Sequence, residues 1–376
     1  MKRVIYGGSF DPITKAHLGV IEKLAQRFDE VIVVPAFISP FKAGQMSLSG
    51  EQRLDLIYSE TATIKGVTVS NCELLSPETS YSYLTVERFY SEQDELYFAL
   101  GSDGLKTLTA WKNPQVLASK CAFYLIERPY YEIDQADLKK AREVYRVELA
   151  DFVGEVGSSS LLKVAVAFNK ADEVVSENVA RFITERNLYS NYRYITDRYD
   201  EFKVKQSRRE HIYRTAKCAI ILASKAGVSV EKTVKAVLYH DIAKYLTETD
   251  LLNLGVKLSP KAKSLPASCT HQETGADLAK VVFGETDDEI LMAVRAHTTG
   301  AENMSTYQKI VYCADYIEDG RNFDGVEKIR KTVYRDLNEG TLAVMENTIK
   351  YLNATGKECS PETVKAYEYL KKEMKK

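Results

Sequence analysis

Histidine and cysteine are both scarce in this sequence. The 376 residues include five histidines, of which four follow residue 205, and six cysteines without a CxxC pair. Scattered single cysteines are typical of reduced thiols and argue against a disulfide framework. We therefore expect a chain that folds in the reducing environment of the cytoplasm.

Long apolar runs and an excess of one charge are missing as well. No apolar stretch is long enough to cross a bilayer, and the N-terminal MKRVIYGGSF lacks the apolar segment of a signal peptide. The 51 Lys and Arg residues nearly balance the 53 Asp and Glu residues, so no overall field attracts nucleic acid or an anionic membrane. The sequence predicts a soluble protein without nucleic-acid or membrane partners, and it leaves open whether the chain forms a homo-oligomer.

The length of the chain predicts two domains, because 376 residues exceed what one ordinary core accommodates. The contents of hydrophobic (45%) and charged (28%) residues are those of a soluble globular protein. A stretch dense in Tyr, Arg and Asn, residues 186–200, ends the pattern of the first half, and a helical pattern begins near Phe202. We predict domains at residues 1–195 and 200–376.

The first half alternates between short apolar strands and amphipathic helices. The expected strands are Val4–Tyr6, Glu30–Pro35, Asp94–Leu100 and Cys121–Ile126, and the expected helices cover residues 14–28, 51–64, 83–90 and 135–147. Such alternation predicts an α/β fold with a doubly wound, mainly parallel sheet. In these sheets a ligand lies beyond the carboxyl ends of the strands.

A glycine turn joins the first strand to the first helix. Gly7 and Gly8 allow a tight turn with exposed N–H groups, and the helix that follows directs its N-terminus at the same place. This arrangement is typical of an anion site, and His17 lies in the first turn of the helix, within reach of a phosphate.

Seven short motifs of the first half resemble, in the same order, those of the nicotinate-nucleotide adenylyltransferases. They are GGSFDPITKAHL (7–18), VPAFISPFK (34–42), QRLDLI (52–57), ETSYSYLTV (78–86), ALGSDGLKTLTAW (99–111), ERP (127–129) and GSSSLLK (157–163). The resemblance covers about the first 190 residues and implies a Rossmann-like nucleotidyltransferase domain. It implies that the phosphate of nicotinate mononucleotide attacks the α-phosphorus of ATP, with Mg²⁺ present and pyrophosphate released.

The resemblance also assigns roles to residues of this chain. His17 and Thr14 would be catalytic, with His17 donating to the α-phosphate in its charged form, and Trp111 would stack on the pyridine ring. The implied nucleotide-binding residues are Gly7, Gly8, Ser9, Phe10, Lys42, Gly101, Asp103, Trp111, Arg128, Ser158, Ser159, Ser160 and Lys163. The chain departs from the family pattern at Thr14, Ala16, Phe41, Leu84 and Lys163. An N-terminal half that binds nucleotides and regulates the other half without catalysis is therefore the alternative.

The second half is helical in every periodic segment, which predicts an all-α bundle. The expected helices are 207–227, 230–245, 272–283, 287–296, 306–317, a segment within 324–353, and 361–375, with a loop at 252–266.

Four histidines and two aspartates of this half form a candidate metal set. His240 and Asp241 are adjacent at the end of an apolar helical run, and a metal site needs further donors from elsewhere. A single histidine is more often a packed or surface residue, but the clustering in one half favours ligands. The remaining candidates are His211, His271, His297 and Asp315.

This order of ligands resembles the HD phosphohydrolases, in particular the symmetrical dinucleoside-tetraphosphate hydrolases. The supporting segments are RREH (208–211), LYHDIAK (238–244), THQETGA (270–276), AVRAHTTG (293–300) and KIVYCADYIEDGRNFDG (309–325). The resemblance implies one ion on His211, His240, Asp241 and Asp315, and a second on His271 and His297 with Asp241 bridging. Mixed nitrogen and oxygen ligands favour iron or another first-row ion over Mg²⁺.

The second resemblance implies hydrolysis of diadenosine tetraphosphate at its centre to two ADP. Asp241 and Lys244 would take part in catalysis, and the implied phosphate contacts are Arg208, Thr298, Thr299 and Arg321. Glu318 and Asp319 are expected to be solvated. Two alternatives stay open for this half: another nucleotide as substrate, or a metal-dependent scaffold without turnover.

Overall fold

The computed structural model describes residues 1–37, 46–75 and 81–375. The chain divides into two compact units. The first comprises Met1–Leu162 with Lys170–Tyr189, and the second comprises Lys163–Asn169 with Ser190–Lys376.

A six-stranded parallel sheet forms the centre of the first unit. Its strands are β1 (Lys2–Gly8), β2 (Glu30–Pro35), β3 (Val67–Val69), β4 (Glu95–Gly101), β5 (Ala122–Glu127) and β6 (Val147–Val153). The strand order is β3-β2-β1-β4-β5-β6, so the direction of winding reverses between β1 and β4. In a doubly wound sheet this reversal opens a crevice at the carboxyl ends of the two strands, where ligands bind.

Short helices surround the sheet. They are α1 (Lys15–Ala25), α2 (Gly50–Thr61), α3 (Ser82–Phe89), a 3₁₀ turn (Ser102–Gly104), α4 (Leu105–Leu108), α5 (Pro114–Lys120), α6 (Gln135–Val144), the first residues of α7 (Ser159–Ala167), α8 (Ala171–Val174) and α9 (Glu177–Glu185). The part of α7 from Lys163 onward belongs to the second unit. The core on one side of the sheet is apolar and rich in aromatic residues, among them Phe98, Phe123 and Tyr145. The doubly wound α/β fold predicted from the sequence is confirmed.

Two strands were not expected from the sequence. Strand β3 has only three residues, none of them fully buried, so it carries almost no periodic signal. Strand β6 is an edge strand in which mainly Val147 is buried, and the expected helix 135–147 instead ends at Val144. Pairing with β5, and not local propensity, places residues 147–153 in the sheet.

The second unit is helical, as predicted. Its helices are α10 (Arg193–Thr196), α11 (Gln206–Ala226), α12 (Val230–His240), α13 (Glu248–Asn253), α14 (Pro260–Ser264), α15 (Thr270–Phe283), α16 (Asp288–Ala296), α17 (Thr306–Ile317), α18 (Val326–Arg335), α19 (Leu337–Ala354) and α20 (Pro361–Glu373). Among the residues described, no helix is long and apolar enough to cross a membrane.

Three expectations about these helices were wrong. Helix α12 ends at His240 and not at residue 245, because Asp241 leaves the helical conformation (φ −108°, ψ 11°). The expected loop 252–266 contains α14, whose first turn is capped by Ser259 with Pro260 following it. The segment 324–353 is two helices, because Asp336 is extended and caps α19 with its carboxylate.

Candidate functional sites

A cavity of about 750 Å³ lies at the carboxyl ends of β1 and β4 in the first unit. Eight of the residues predicted to bind nucleotide or act in catalysis line it: Gly7, Gly8, Ser9, His17, Gly101, Asp103, Trp111 and Arg128. The cavity also has lining residues that sequence reasoning missed, including Glu73, Tyr81, Lys112 and Glu155. Its position at the reversal of the sheet is the one expected for a nucleotide.

His17 is fixed in this cavity through its Nδ1 atom. The backbone N–H of Thr14 donates to Nδ1 over 3.0 Å, and the Thr14 hydroxyl lies 3.0 Å from the same atom. Because a main-chain N–H can only donate, Nδ1 accepts, and the proton of a neutral ring is carried by Nε2. The geometry therefore favours the neutral Nε2–H form as a donor, and not the charged imidazole expected from the sequence.

Arg128 and Asp103 form an ion pair in the wall of the cavity. Arg128 Nη1 lies 2.6 Å from an Asp103 oxygen, and Nη2 donates to the carbonyl of Gly157 over 3.2 Å. The backbone N–H of Arg128 donates to the hydroxyl of Ser102, which fixes the segment after β5 against the one after β4. The cation is thereby held at the cavity by both its charge and its main chain.

Trp111 lines the cavity and packs edge-on against the core. Its ring centroid lies 5.8 Å from that of Phe98 and 5.9 Å from that of Phe123. Edge-to-face packing leaves part of a ring face available for stacking on a ligand.

Other predicted residues of the first unit lie in supporting positions. Phe10 is fully buried, with its ring 5.0 Å from that of His17, so it supports the imidazole and does not reach the cavity. The Ser159 hydroxyl donates to the carbonyl of Asp11, and the Ser158 hydroxyl accepts from the N–H of Leu161 at the start of α7. Ser160 and Lys163 are part of the same helix, although Lys163 falls in the second compact unit. Lys42 lies outside the described residues.

Asp11 and Arg53 take part in a buried polar network beneath the glycine turn. The sequence did not reveal this network. Asp11 accepts from the N–H groups of residues 47 and 48 and from the Tyr189 hydroxyl, the last over 2.6 Å. Arg53 is 2% exposed and donates to the carbonyls of Ser9 and Ala36. The network fixes the main chain of the turn. It is recognisable only from contacts between residues far apart in the sequence, so no local pattern could have predicted it.

Six side chains of the second unit converge in two triads. His211 comes from α11, His240 from the end of α12, and Asp315 from α17, and together they form the first triad. The second triad comprises Asp241, His271 and His297. Within each triad the candidate ligand atoms lie within 4.8 Å of one another, so the six predicted ligands are brought together.

Asp241 lies between the two triads. Its Oδ1 is 3.1 Å from His271 Nε2 and 3.7 Å from His297 Nε2. Its Oδ2 is 3.5 Å from His240 Nε2 and 3.9 Å from His211 Nε2. One oxygen thus faces each triad, which is the geometry of a bridging carboxylate.

The histidines present their Nε2 atoms to the site because their Nδ1 atoms are engaged elsewhere. His240 Nδ1–H donates to the carbonyl of Val237 over 2.6 Å, and His297 Nδ1–H donates to that of Val294 over 2.7 Å. Their Nε2 atoms therefore carry lone pairs. Among the described residues, three buried atoms at this place make no hydrogen bond of ordinary geometry: His211 Nε2, His240 Nε2 and Asp241 Oδ2. Two of them have a charged neighbour, since His211 Nε2 lies 2.8 Å from Asp315 Oδ1 and Asp241 Oδ2 lies 2.8 Å from Arg208 Nη1.

The two triads fit a divalent metal ion. Buried polar atoms are almost always satisfied, and His240 Nε2 makes no hydrogen bond among the described residues although the side chain is fully buried. Imidazole nitrogens together with carboxylate oxygens are the ligands of first-row transition metals.

The protonation states suit metal binding. Burial would raise the pKa of the Asp241 carboxyl, but the surrounding imidazoles hold that pKa well below its usual range. Burial lowers the pKa of His240, and it lowers the pKa of His271 to about 4 despite the opposing charge of Asp241. At neutral pH His240 and His271 are therefore uncharged and Asp241 is charged, as metal ligands must be. His211 differs, because burial lowers its pKa but the hydrogen bonds to Asp315 and Glu318 outweigh burial and raise it.

Three predicted cations surround the triads. Arg208 Nη1 lies 2.8 Å from Asp241 Oδ2, and Lys244 Nζ lies 3.0 Å from Asp241 Oδ1. Arg321 Nη2 lies 2.8 Å from Asp315 Oδ1. All three side chains are between one-fifth and two-fifths exposed, so their charges are accessible to an anionic ligand.

The two threonines differ. Thr298 is half-buried, with its hydroxyl 3.4 Å from His271 Nε2, which leaves it at the site. Thr299 is fully buried, and its hydroxyl accepts from Gln272 over 2.9 Å and donates to the carbonyl of Gly300. The prediction that Thr299 contacts phosphate is therefore wrong, because its hydroxyl is enclosed and already bonded.

Glu318 was expected to be solvated, and this was wrong. It is 2% exposed, and its carboxylate accepts from His211 Nδ1 over 3.1 Å and from Arg214 Nε over 2.6 Å. Asp319 is exposed, as expected. Glu318 is followed in the sequence by a polar run, so no local signal marks it as buried.

Gly275 permits the close approach of α15 to the end of α12. A methyl group at this position would lie 3.3 Å from the Tyr239 carbonyl oxygen and 3.4 Å from that of His240. The small residue lets His271, one turn earlier on α15, reach Asp241.

Comparison with known proteins divides the chain in the same way. Residues 5–176 match the cytidylyltransferase-like family, and residues 208–320 match the HD domain family. A Mycoplasma genitalium protein named "Probable nicotinate-nucleotide adenylyltransferase/Ap4A hydrolase" is 28% identical over 366 residues, covering 93% of this chain and 99% of the relative.

Two further relatives each match one half. A symmetrical bis(5'-nucleosyl)-tetraphosphatase of Halalkalibacterium halodurans is 34% identical over 172 residues, covering 45% of this chain and 92% of the relative. A Clostridium botulinum protein named "Probable nicotinate-nucleotide adenylyltransferase" is 28% identical over 199 residues, covering 50% of this chain and 99% of the relative.

Proposed function

We propose that this chain, which belongs through its C-terminal half to the HD-domain family of symmetrical bis(5'-nucleosyl)-tetraphosphatases, is a bifunctional enzyme. Its N-terminal half transfers the adenylyl group of ATP to nicotinate mononucleotide, giving deamido-NAD and pyrophosphate. Its C-terminal half hydrolyses diadenosine tetraphosphate to two ADP. Relatives that carry both names over nearly the whole length support this combination.

The cavity containing His17 supports the transferase reaction. The phosphate oxygen of the acceptor attacks the α-phosphorus of ATP, and the bond from this phosphorus to the bridging oxygen of the leaving pyrophosphate breaks. Such a reaction needs positioning and stabilisation of charge on the phosphoryl oxygens, and no covalent nucleophile. The His17 Nε2–H and the N–H groups of the glycine turn are donors of this kind. Mg²⁺ bound with the nucleotide would neutralise part of the charge of the phosphates.

The single observation that carries the hydrolase proposal is the convergence of four histidines and two aspartates in two triads, with Asp241 between them. Bound first-row ions, for which we propose iron, would supply a hydroxide at neutral pH and polarise the phosphoryl group. Lys244, Arg208 and Arg321 would neutralise the polyphosphate, and Thr298 would contact it. Water adds to one of the two central phosphorus atoms, and the bond from this phosphorus to the oxygen bridging the two central phosphates breaks. The ADP that leaves on this oxygen takes up a proton from the attacking water.

We also propose the domain assignment 1–195 and 200–376 and a cytoplasmic location. The division into compact units at residues 189 and 190 supports this boundary, although residues 163–169 group with the second unit. Separate expression of the two predicted domains, with each activity measured on each domain, tests the assignment. The assignment would be contradicted if the isolated domain predicted to carry an activity did not show that activity.

One assay series tests both activities. The intact chain is incubated with ATP, nicotinate mononucleotide and a panel of dinucleoside polyphosphates, with and without a chelator, and the products are identified by mass spectrometry. We expect deamido-NAD with pyrophosphate, and ADP as the only product from diadenosine tetraphosphate. His240→Ala should remove only the hydrolysis, and His17→Ala should strongly reduce only the transfer.

The same series separates the alternative in which the N-terminal half is a nucleotide-binding regulator. In that case no pyrophosphate forms from ATP and nicotinate mononucleotide, while ATP alters the rate of the hydrolase. A Thr14→His variant then shows whether the imidazole that the adenylyltransferases carry at this position restores transfer. Products other than ADP from the panel would instead indicate a different nucleotide substrate for the HD half.

A further inference from the structure

Glu318 has three hydrogen-bond donors and almost no exposure to solvent. Its Oε1 accepts from His211 Nδ1 over 3.1 Å, and its Oε2 accepts from Arg214 Nε and from the N–H of Gly320, both over 2.6 Å. Because an unpaired charge is costly in the interior, a buried carboxylate bonded to three donors is held in one position. Its place at the end of α17 puts it directly behind the ring of His211.

His211 needs such a partner because of its place in a helix. His240 and His297 lie at helix ends, where each Nδ1 reaches the carbonyl three residues earlier. His211 is the sixth residue of the 21-residue α11, so the carbonyls near it are engaged in the helix. An acceptor for its Nδ1 must therefore come from another element, and Glu318 provides it.

Arg330 fixes the turn that carries Glu318. Its Nε donates to the carbonyl of Ile317, and its Nη2 donates to the carbonyls of Glu318 and Arg321, each over 2.7 Å. These carbonyls lie at the C-terminal end of α17, where a helix leaves carbonyls without partners and favours a cation. Hydrogen bonds to both the side chain and the main chain of Glu318 thus fix its position.

We propose that Glu318 is a positioning residue that directs His211 Nε2 at the first triad and strengthens the hold of that triad on a metal ion. The inference rests on the proposed metal-dependent function of this unit. A carboxylate that accepts from the Nδ1–H of a ligand histidine fixes the ring and makes its other nitrogen a better donor. His240 and His297 have main-chain carbonyls at their Nδ1 atoms, so among the contacts that the structure describes only the ring of His211 has a carboxylate there.

Metal affinity, measured without any substrate, tests the proposal. Binding of Co²⁺ to the full chain is followed by its visible absorption and by competition with a chelator. We expect Glu318→Gln to weaken one of two binding steps by about 10- to 100-fold, the usual effect of losing such a partner. Glu273→Gln is the matched control, because Glu273 is also 2% exposed and paired with Arg295 and Lys261 but contacts no ligand histidine in the described contacts.

A comparison of double variants shows which triad holds the ion whose binding is weakened. With the second triad disabled by His297→Ala, Glu318→Gln should still weaken the remaining ion by the same factor. With the first triad disabled by His211→Ala, it should have no effect on the ion that remains. Equal weakening in both backgrounds, or no weakening in either, would overturn the proposal.

Arg330→Lys provides a second variant if Glu318→Gln does not fold. The lysine keeps the charge but cannot reach three carbonyls at once, so we expect a smaller weakening of the same binding step. Unchanged affinity in a folded Arg330→Lys variant would count against the proposal. If the unmodified chain binds no Co²⁺, the proposed metal centre itself fails, which is a different result from failure of the role of Glu318.

Discussion

The main chain decides the chemistry of the histidines in both units. His17 Nδ1 accepts from a backbone N–H, so its Nε2 carries a proton and can donate to an anion. His240 and His297 Nδ1 donate to backbone carbonyls, so their Nε2 atoms carry lone pairs and can bind a cation. The same side chain is thus prepared for opposite ligands by the polarity of one neighbouring main-chain group.

The first prediction concerns Thr14 and His17. Thr14→Ala keeps the backbone N–H that fixes Nδ1 and loses only the hydroxyl, so we expect adenylyl transfer to fall less than about tenfold. His17→Ala removes the donor itself and should lower kcat by about 10²- to 10³-fold, as the loss of a donor to a developing charge does. Steady-state assays of pyrophosphate release measure both. A Thr14→Ala effect as large as that of His17→Ala would show that the hydroxyl, and not the main chain, sets the ring.

For single residues, the sequence predicted which side chains are candidate ligands better than it predicted which polar side chains are buried. His240 and Asp241 were identifiable because two ligands adjacent in the chain need no tertiary contact to be recognised. Glu318 and Thr299 were misjudged because burial of a polar residue depends on partners from distant elements, such as His211 and Gln272. The triads themselves were predicted through the resemblance to a family, since no local spacing joins residues of different helices.

At the scale of secondary-structure elements, helix ends and close contacts between helices position the candidate ligands. Helix α12 stops at His240, which lets Asp241 turn toward both triads. The expected continuation to residue 245 was wrong because the apolar pattern continues through Ile242 and Ala243, both buried, after the helix has ended. Periodicity reports which residues are buried, and not where hydrogen bonding stops.

The second prediction concerns the contact of α15 with α12. Gly275→Ala gains about 1 kcal/mol of helix propensity, but its methyl group crowds the two carbonyls at the end of α12. We expect the hydrolase rate to fall by up to about tenfold through displacement of His271 and Asp241, with little change in Tm. The exposed Lys280→Ala on the same helix is the control. An unchanged hydrolase rate in Gly275→Ala would show that the helices separate without disturbing the site.

The third prediction concerns the capping residue Asp250 in α13. The ion pair with Lys203 and hydrogen bonds from Thr247 lower the pKa of Asp250 from 3.8 to about 2. Between these values the unfolded chain binds the proton and the folded chain does not, so the stabilisation is present above pH 3.8 and is lost as the pH falls through 2. The Tm difference between the unmodified chain and Asp250→Asn should therefore shrink across this window. A difference that stays constant with pH would contradict the assignment.

The whole molecule joins two sites that both handle adenylates, one in each compact unit. A transferase that used a second ATP as acceptor would join an adenylyl group to the γ-phosphate, releasing pyrophosphate and giving diadenosine tetraphosphate. That compound is the proposed substrate of the HD half. The hypothesis is that the second activity removes a by-product of the first.

The fourth prediction follows from this hypothesis. The His240→Ala chain, incubated with ATP and Mg²⁺ but without nicotinate mononucleotide, should accumulate diadenosine tetraphosphate, whereas the unmodified chain should release ADP instead. Mass spectrometry of the products over time measures both. The double variant His17→Ala with His240→Ala is the control and should accumulate far less. Failure of His240→Ala to accumulate the compound would end the hypothesis without affecting either separate activity.

The placement of Asp241, with one oxygen toward each triad, has a consequence for the order in which the ions arrive. An ion held by the first triad would neutralise part of the charge of the Asp241 carboxylate and fix its orientation, and a second ion would need the same carboxylate. The two occupancies are therefore thermodynamically linked, and whatever factor the first ion applies to the affinity of the second, the second applies to the first. A titration of this unit should consequently show cooperativity, of either sign, and not two independent isotherms.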